Sequence, residues 1–200
     1  MNGLWAWLPG DGPVERKNFF LNSVEGAIIV ASGAFINPQT VLPALVSRLG
    51  GNNLAVGALG VIVYLGVFIP QLFAARYVET LPWKKPWALR YGLIHRLFVL
   101  VMGLEILLLG GIRPGAALWL FLVLYTAMQV VVGVATPGWF DLFAKLTPPR
   151  RRGMLVGVRN SAGGACAFVC GLLLTWILAS WGFPVSFAVA FFAAFLLQMA

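Results

Sequence analysis

Six apolar stretches, most of them long enough to cross a lipid bilayer as a helix, leave this chain few folds to choose from. They cover residues 24–45, 54–75, 89–111, 116–142, 154–179 and 184–200. A hydrocarbon core about 30 Å thick is crossed by roughly 20 helical residues at about 1.5 Å each. The runs are continuous and lack the ten-residue alternation that the strands of a transmembrane barrel need. A soluble fold fails on area. With 60% of 200 residues hydrophobic and 10% charged, a domain of this size has too little interior to hide its apolar side chains. The expectation is an all-α, polytopic integral membrane protein. Residues 1–23 form an N-terminal segment and residues 24–200 one transmembrane domain of six helices.

The charges give the orientation. Arg16, Lys17, Arg76, Lys84, Lys85, Arg90, Arg96, Lys145, Arg150, Arg151, Arg152 and Arg159 fall at the N-terminus and in the even-numbered loops. Only Arg48 and Arg113 fall in the odd-numbered ones. The positive-inside rule puts the crowded side, and with it the 1–23 segment, in the cytoplasm. The net charge of +8 is then topological, with the Arg150–Arg152 run anchored at anionic headgroups; the lipid bilayer is a partner and nucleic acid is not. Residues 1–10 carry no basic residue, so the start of a secretory signal is missing and the first span serves as insertion signal. The last stretch, 184–200, rises only about 25 Å and no basic or aromatic anchor follows it. The chain is expected to be part of a longer protein.

Polar residues inside apolar spans are candidates for function. In span one, Asn37, Gln39 and Thr40 accompany Pro38 and Pro43, which should break the helix and free backbone carbonyls near mid-membrane. Broken, polar stretches at that depth are where transporters hold solute; the alternative is a simple kink with its amides bonded to neighbours. Glu25 sits at the cytoplasmic mouth of the same span. Glu105 lies in the outer half of span three, where a carboxylate costs about 2.5–3.5 kcal/mol. It needs a partner, a wet cavity or a proton, so Glu25 and Glu105 are the candidates for proton coupling. In span four, Tyr125, Gln129 and Thr136 share a helix face and point to a cavity, and Pro137-Gly138 should break the helix beyond them. Asp141 stands four residues before Lys145 and is expected to close a charge cluster with Arg76 or Arg159.

Span five is rich in small residues, among them Gly153, Gly157, Ser161, Gly163, Gly164 and Gly171, which allow close helix contact. Cys166 and Cys170 read as core residues. With one histidine, His95, in the chain, no metal site is expected, and no cofactor. Enzyme chemistry is not expected either. Ser161 is followed by Ala162 rather than the glycine of an intramembrane serine protease, and His-Glu-x-x-His is absent.

Six spans with both ends cytoplasmic resemble the N-terminal half of a major facilitator superfamily transporter, over about residues 16–200. The most specific piece is Pro148-Pro149-Arg150-Arg151-Arg152-Gly153 followed by Gly157, which looks like the family's run between spans four and five. Residues 138–143, Gly-Trp-Phe-Asp-Leu-Phe, are similar to some bacterial members. The loop from Pro70 to Lys85 sits where the family's glycine-, aspartate- and arginine-rich signature belongs, but lacks that glycine and aspartate while keeping Arg76, Glu79, Lys84 and Lys85.

The resemblance implies secondary transport of a small solute by alternating access in a bacterial inner membrane, with protons as candidate coupling ions. It implies a central cavity lined by spans one and four, hence solute binding by Asn37, Gln39, Thr40, Tyr125 and Gln129, and a cytoplasmic gate of Arg76, Asp141 and Arg159. A C-terminal six-span half would complete the path. The alternative is a six-span scaffold or accessory subunit without transport of its own.

Overall fold

The computed structural model describes residues 12–200, which form seven α-helices and no strand. In chain order these are α1 (Pro13–Ser32), α2 (Val41–Arg48), α3 (Asn53–Thr80), α4 (Lys85–Leu109), α5 (Pro114–Leu146), α6 (Pro149–Ser180) and α7 (Val185–Met199). Proline stands in the first positions of α1, α4, α5 and α6, where its fixed φ is already helical and its missing N–H is not needed. α3 starts on Asn52, whose Oδ1 accepts a hydrogen bond from the Ala55 N–H at 3.0 Å. Just beyond α2, Gly50 has a φ of 84°, in the left-handed region, which lets the Gly51 N–H return to the Val46 carbonyl at 2.8 Å.

Four helices, α3 to α6, are long and apolar enough to cross a membrane. Large apolar side chains stand in the open on them: Phe73 is 73% exposed, Trp119 71% and Phe168 69%. Water would make such faces aggregate, whereas hydrocarbon accepts them and the helices satisfy their own backbone groups. This is the architecture of an integral membrane protein. α7 is equally apolar but has 15 residues.

The structure departs from the sequence expectation in the first and fourth stretches. Residues 24–45 are not one helix. α1 begins at Pro13, so residues 13–23 belong to it and are not a separate segment, and it ends at Ser32. Residues 33–40 break the helix before α2 resumes. Asn37 manages the break: its Oδ1 accepts from the Gln39 and Thr40 N–H groups at 2.9 and 3.2 Å, and its carbonyl accepts from Val41 and Leu42. Pro137-Gly138, by contrast, breaks nothing, and α5 continues through it to Leu146. Pro137 withholds the N–H that would bond the Gly133 carbonyl, and side-chain donors reach the carbonyls on either side of it. Thr136 Oγ1 donates to the Val132 carbonyl at 2.6 Å, and Trp87 Nε1 to the Val134 carbonyl at 3.0 Å.

Helix packing follows one scheme. α3 lies on α5, α5 on α4, α4 on α7, α7 on α1, and α1 on α6. Exchanging α1 with α5, α3 with α6 and α4 with α7 maps these interfaces onto one another. The series is open, because α3 and α6 form no packed interface to close it. Glycine sets the closest approaches. A Cβ at Gly133 of α5 would overlap the Val67 carbonyl of α3, and one at Gly163 of α6 would lie 2.6 Å from Cβ of Val30 on α1. The core, including Phe35, Leu45, Met102, Ile106, Phe121 and Phe191, fills the half of the bundle away from the basic helix ends. The other glycines of α6 meet no neighbouring helix among the described residues. Gly153, Gly157, Gly164 and Gly171 have no neighbour within reach of an added Cβ. Of the two cysteines expected in the core, Cys170 is half-buried and packs against it, while Cys166 is exposed, because α6 turns Leu155, Gly163, Leu174 and Ile177 inward.

Candidate functional site

On the open side of the bundle, near its basic end, α1 and α5 face each other across a groove of about 250 Å³. From α5 come Trp139, Leu142, Phe143 and Leu146, whose spacing of three and four residues defines one helix face. From α1 come Leu21, Asn22 and Glu25. The Trp139 and Phe143 rings stack with centroids 5.4 Å apart. The groove is thus an aromatic and aliphatic floor with one acid at its edge.

Arg159 reaches into this edge from α6. Its Nη2 lies 3.0 Å from Glu25 Oε2, its Nη1 donates to the Asn22 carbonyl at 2.8 Å, and its guanidinium carbon stands 5.3 Å from the centre of the Trp139 ring. A planar guanidinium can make all three contacts at once, where a lysine ammonium could not. The arrangement depends on Gly26, since a Cβ there would overlap the Arg159 side chain. The Arg159 side chain is 11% exposed and that of Glu25 is 46% exposed. The cation is therefore consumed, while the carboxylate still faces the groove.

A second cluster sits at the end of α5. Asp141 pairs with Lys84 at 3.2 Å and with Lys145 at 2.8 Å. Lys84 lies in the turn between α3 and α4, and Trp87 one turn on packs against Gly138, so that turn is clamped to α5 twice. The expected partners of Asp141 are elsewhere. Arg159 is held by Glu25, and Arg76 is exposed on α3 with no ion pair among the described residues. The three residues assigned to a gate are not in one cluster. Of the arginine run, Arg152 donates to the Ala144 and Thr147 carbonyls at 2.7 and 3.1 Å and so caps the end of α5, while Arg151 lies 3.8 Å from Glu15.

The mid-membrane candidates are spread over the fold. Gln39 and Thr40 are exposed and Asn37 is half-buried at the break. Tyr125 and Gln129 are buried in helix contacts rather than in an open cavity. Tyr125 stacks on Phe121 and Gln129 covers Gly66 of α3. Glu105 is 5% exposed and neither carboxyl oxygen has a hydrogen-bond partner. A further polar node joins α7 to the end of α1, where Gln198 Nε2 donates to Ser32 Oγ at 3.2 Å. Glu25 also borders a separate cavity of about 400 Å³ between α1, α4 and α7, together with Arg96 and Gln198. Among the described residues no group of three His, Cys, Asp or Glu side chains could hold a metal ion.

Sequence reasoning brought forward Glu25 and Arg159 but assigned them to different tasks, and it missed Asn22, Gly26, Trp139 and Phe143. The signal was present. The spacing of Trp139, Leu142, Phe143 and Leu146 repeats a helix face, and Gly26 beside Glu25 is a place where a long side chain can cross. Comparison of the chain with protein-family models, with curated proteins and with solved structures found no match.

Proposed function

We propose that this chain is one half-bundle of a secondary transporter that carries a small solute across the membrane by alternating access. The observation that supports this reading best is the packing scheme. Two sets of helices related by exchange, α1–α4 and α5–α7, each amount to three spans when α1, the break and α2 are taken as one broken span. An odd number of spans inverts the second set relative to the first, which is the repeat logic of many transporters. The groove between α1 and α5 lies on the open side, where a second six-span half would complete a path. In this reading the N-terminus and the basic helix ends face the cytoplasm of a bacterium, as the resemblance to the major facilitator superfamily implies.

The reading is tested by flux. Full-length protein reconstituted in vesicles is expected to give saturable uptake or counterflow of at least one small solute, with a rate that changes when a proton gradient is imposed. Folded protein that passes no solute of a broad panel in either direction supports the scaffold reading instead.

Topology is tested separately. Cysteines placed at Asn52 or Gly111, in a background with Cys166 and Cys170 replaced, are expected to react with an impermeant thiol reagent from outside intact cells. Those at Lys84 or Arg151 are expected to react only after permeabilisation. Labelling of positions 52 and 84 from the same side sinks the six-span arrangement.

A further inference from the structure

We infer that the groove between α1 and α5 is a binding site for a small organic cation with a flat or apolar body, an amidinium or aryl-ammonium compound. The inference deepens the transport reading and rests on it for the site's role as a solute site. Among the described residues that line the groove only Glu25 is charged, and Arg96, which shares Glu25 as a neighbour, lines a separate cavity. Arg159 is not available to an anion, because it is 11% exposed and already bonded to Glu25, the Asn22 carbonyl and the Trp139 face. An entering solute therefore meets a half-exposed carboxylate and, among the described lining residues, no cation.

Trp139 and Phe143 present stacked rings beside leucines, and aromatic faces attract cations. A flat cation satisfies the carboxylate with its head and covers the rings with its body. The chain also carries its own template for such a solute. The Arg159 guanidinium already makes the contacts that such a solute needs, a carboxylate at 3.0 Å and an indole face at 5.3 Å. It acts as a tethered rival for the same groups, so removing it should help a free cation.

The test uses three probes of nearly one shape, benzamidine (a cation), benzamide (neutral) and benzoate (an anion), titrated calorimetrically into the purified full-length protein in detergent. Benzamidine is expected to bind saturably, at least about tenfold more tightly than either control. Equal binding of benzamide and benzamidine, or no saturable binding of benzamidine, overturns the inference without any variant. In folded protein, Glu25→Gln should weaken benzamidine about tenfold or more, and Phe143→Leu about threefold. Arg159→Gln should tighten it. A purely structural role for the Glu25–Arg159 pair predicts that both substitutions at the pair weaken binding, and that result also overturns the inference. Because binding is read without flux, the two readings can fail apart. Benzamidine binding in a protein that transports nothing leaves the site standing and removes transport, whereas transport of other solutes with no benzamidine binding does the reverse.

Discussion

Gly133→Leu will leave α5 unable to lie on α3, and the folded protein will not accumulate. The reason is the atom that a side chain would meet. Beside the overlap with the Val67 carbonyl, a Cβ at position 133 stands 3.1 Å from Val67 C and Cα. These are backbone atoms inside a helix, and no rotamer can move them aside. Approaches this close let Cα–H groups of one helix reach carbonyls of the next and maximise dispersion where lipid offers no hydrophobic drive for helix association. Even Gly133→Ala is expected to cost about 3 kcal/mol, at the upper end of overpacking penalties, against a total stability of about 5–15 kcal/mol. Gly164→Ala is the control. Nothing lies within 4 Å of that position, so alanine there should gain about 0.5–1 kcal/mol from helix propensity alone. Thermal midpoints of the two alanine variants in detergent, side by side, decide the matter. If they agree, the α3–α5 contact is not the one described.

That pair of glycines also marks what the sequence could and could not disclose. Hydrophobic runs report that helices span, because length and apolarity are local properties, and α3 to α6 were placed within a few residues in this way. The break in the first stretch was legible too, since Asn37-Pro38 acts through its own backbone. Which glycine faces a neighbour was not legible. Gly163 and Gly164 are adjacent and identical, yet only the first meets another helix, and the choice is made by the rotation of α6 against α1. The same holds for polar groups. Tyr125 and Gln129 announce a shared face, but whether that face meets water or a partner helix depends on where α3 lies. Pro137 misled for a related reason. Its local effect is to break a helix, and the Trp87 N–H that bonds the Val134 carbonyl beside the gap arrives from another element. The groove and the arginine at its edge combine three helices. Only the α5 face was visible as a period, and the Glu25–Arg159 pair spans 134 positions that no local pattern connects.

Glu105→Met will make the protein more stable, by about 1–3 kcal/mol, although it deletes a charged residue type. Glu105 belongs to α4, which is wedged between α5 and α7 among Met102, Gly103 and Ile106. Both carboxyl oxygens are buried and neither is hydrogen-bonded. A polar group buried without a partner costs about 1–3 kcal/mol on the scale of protein substitutions, and replacing it by an apolar group of similar length removes that cost without creating an orphan elsewhere. Methionine has the length and flexibility to fill the same space. Glu105→Gln keeps the unpaired polar head and should gain much less. The comparison separates structure from use. A residue kept at a cost to stability is expected to do something for the protein, and in the transport reading the task is to carry a proton through the apolar part of the bundle. Glu105→Met should then raise the thermal midpoint while flux loses its response to a proton gradient. A variant with lower stability than the parent shows instead that the carboxyl finds a partner in the membrane, and proton coupling would have to be sought at Glu25. A stabilised variant whose flux still follows the gradient removes Glu105 from coupling and leaves the stability argument intact.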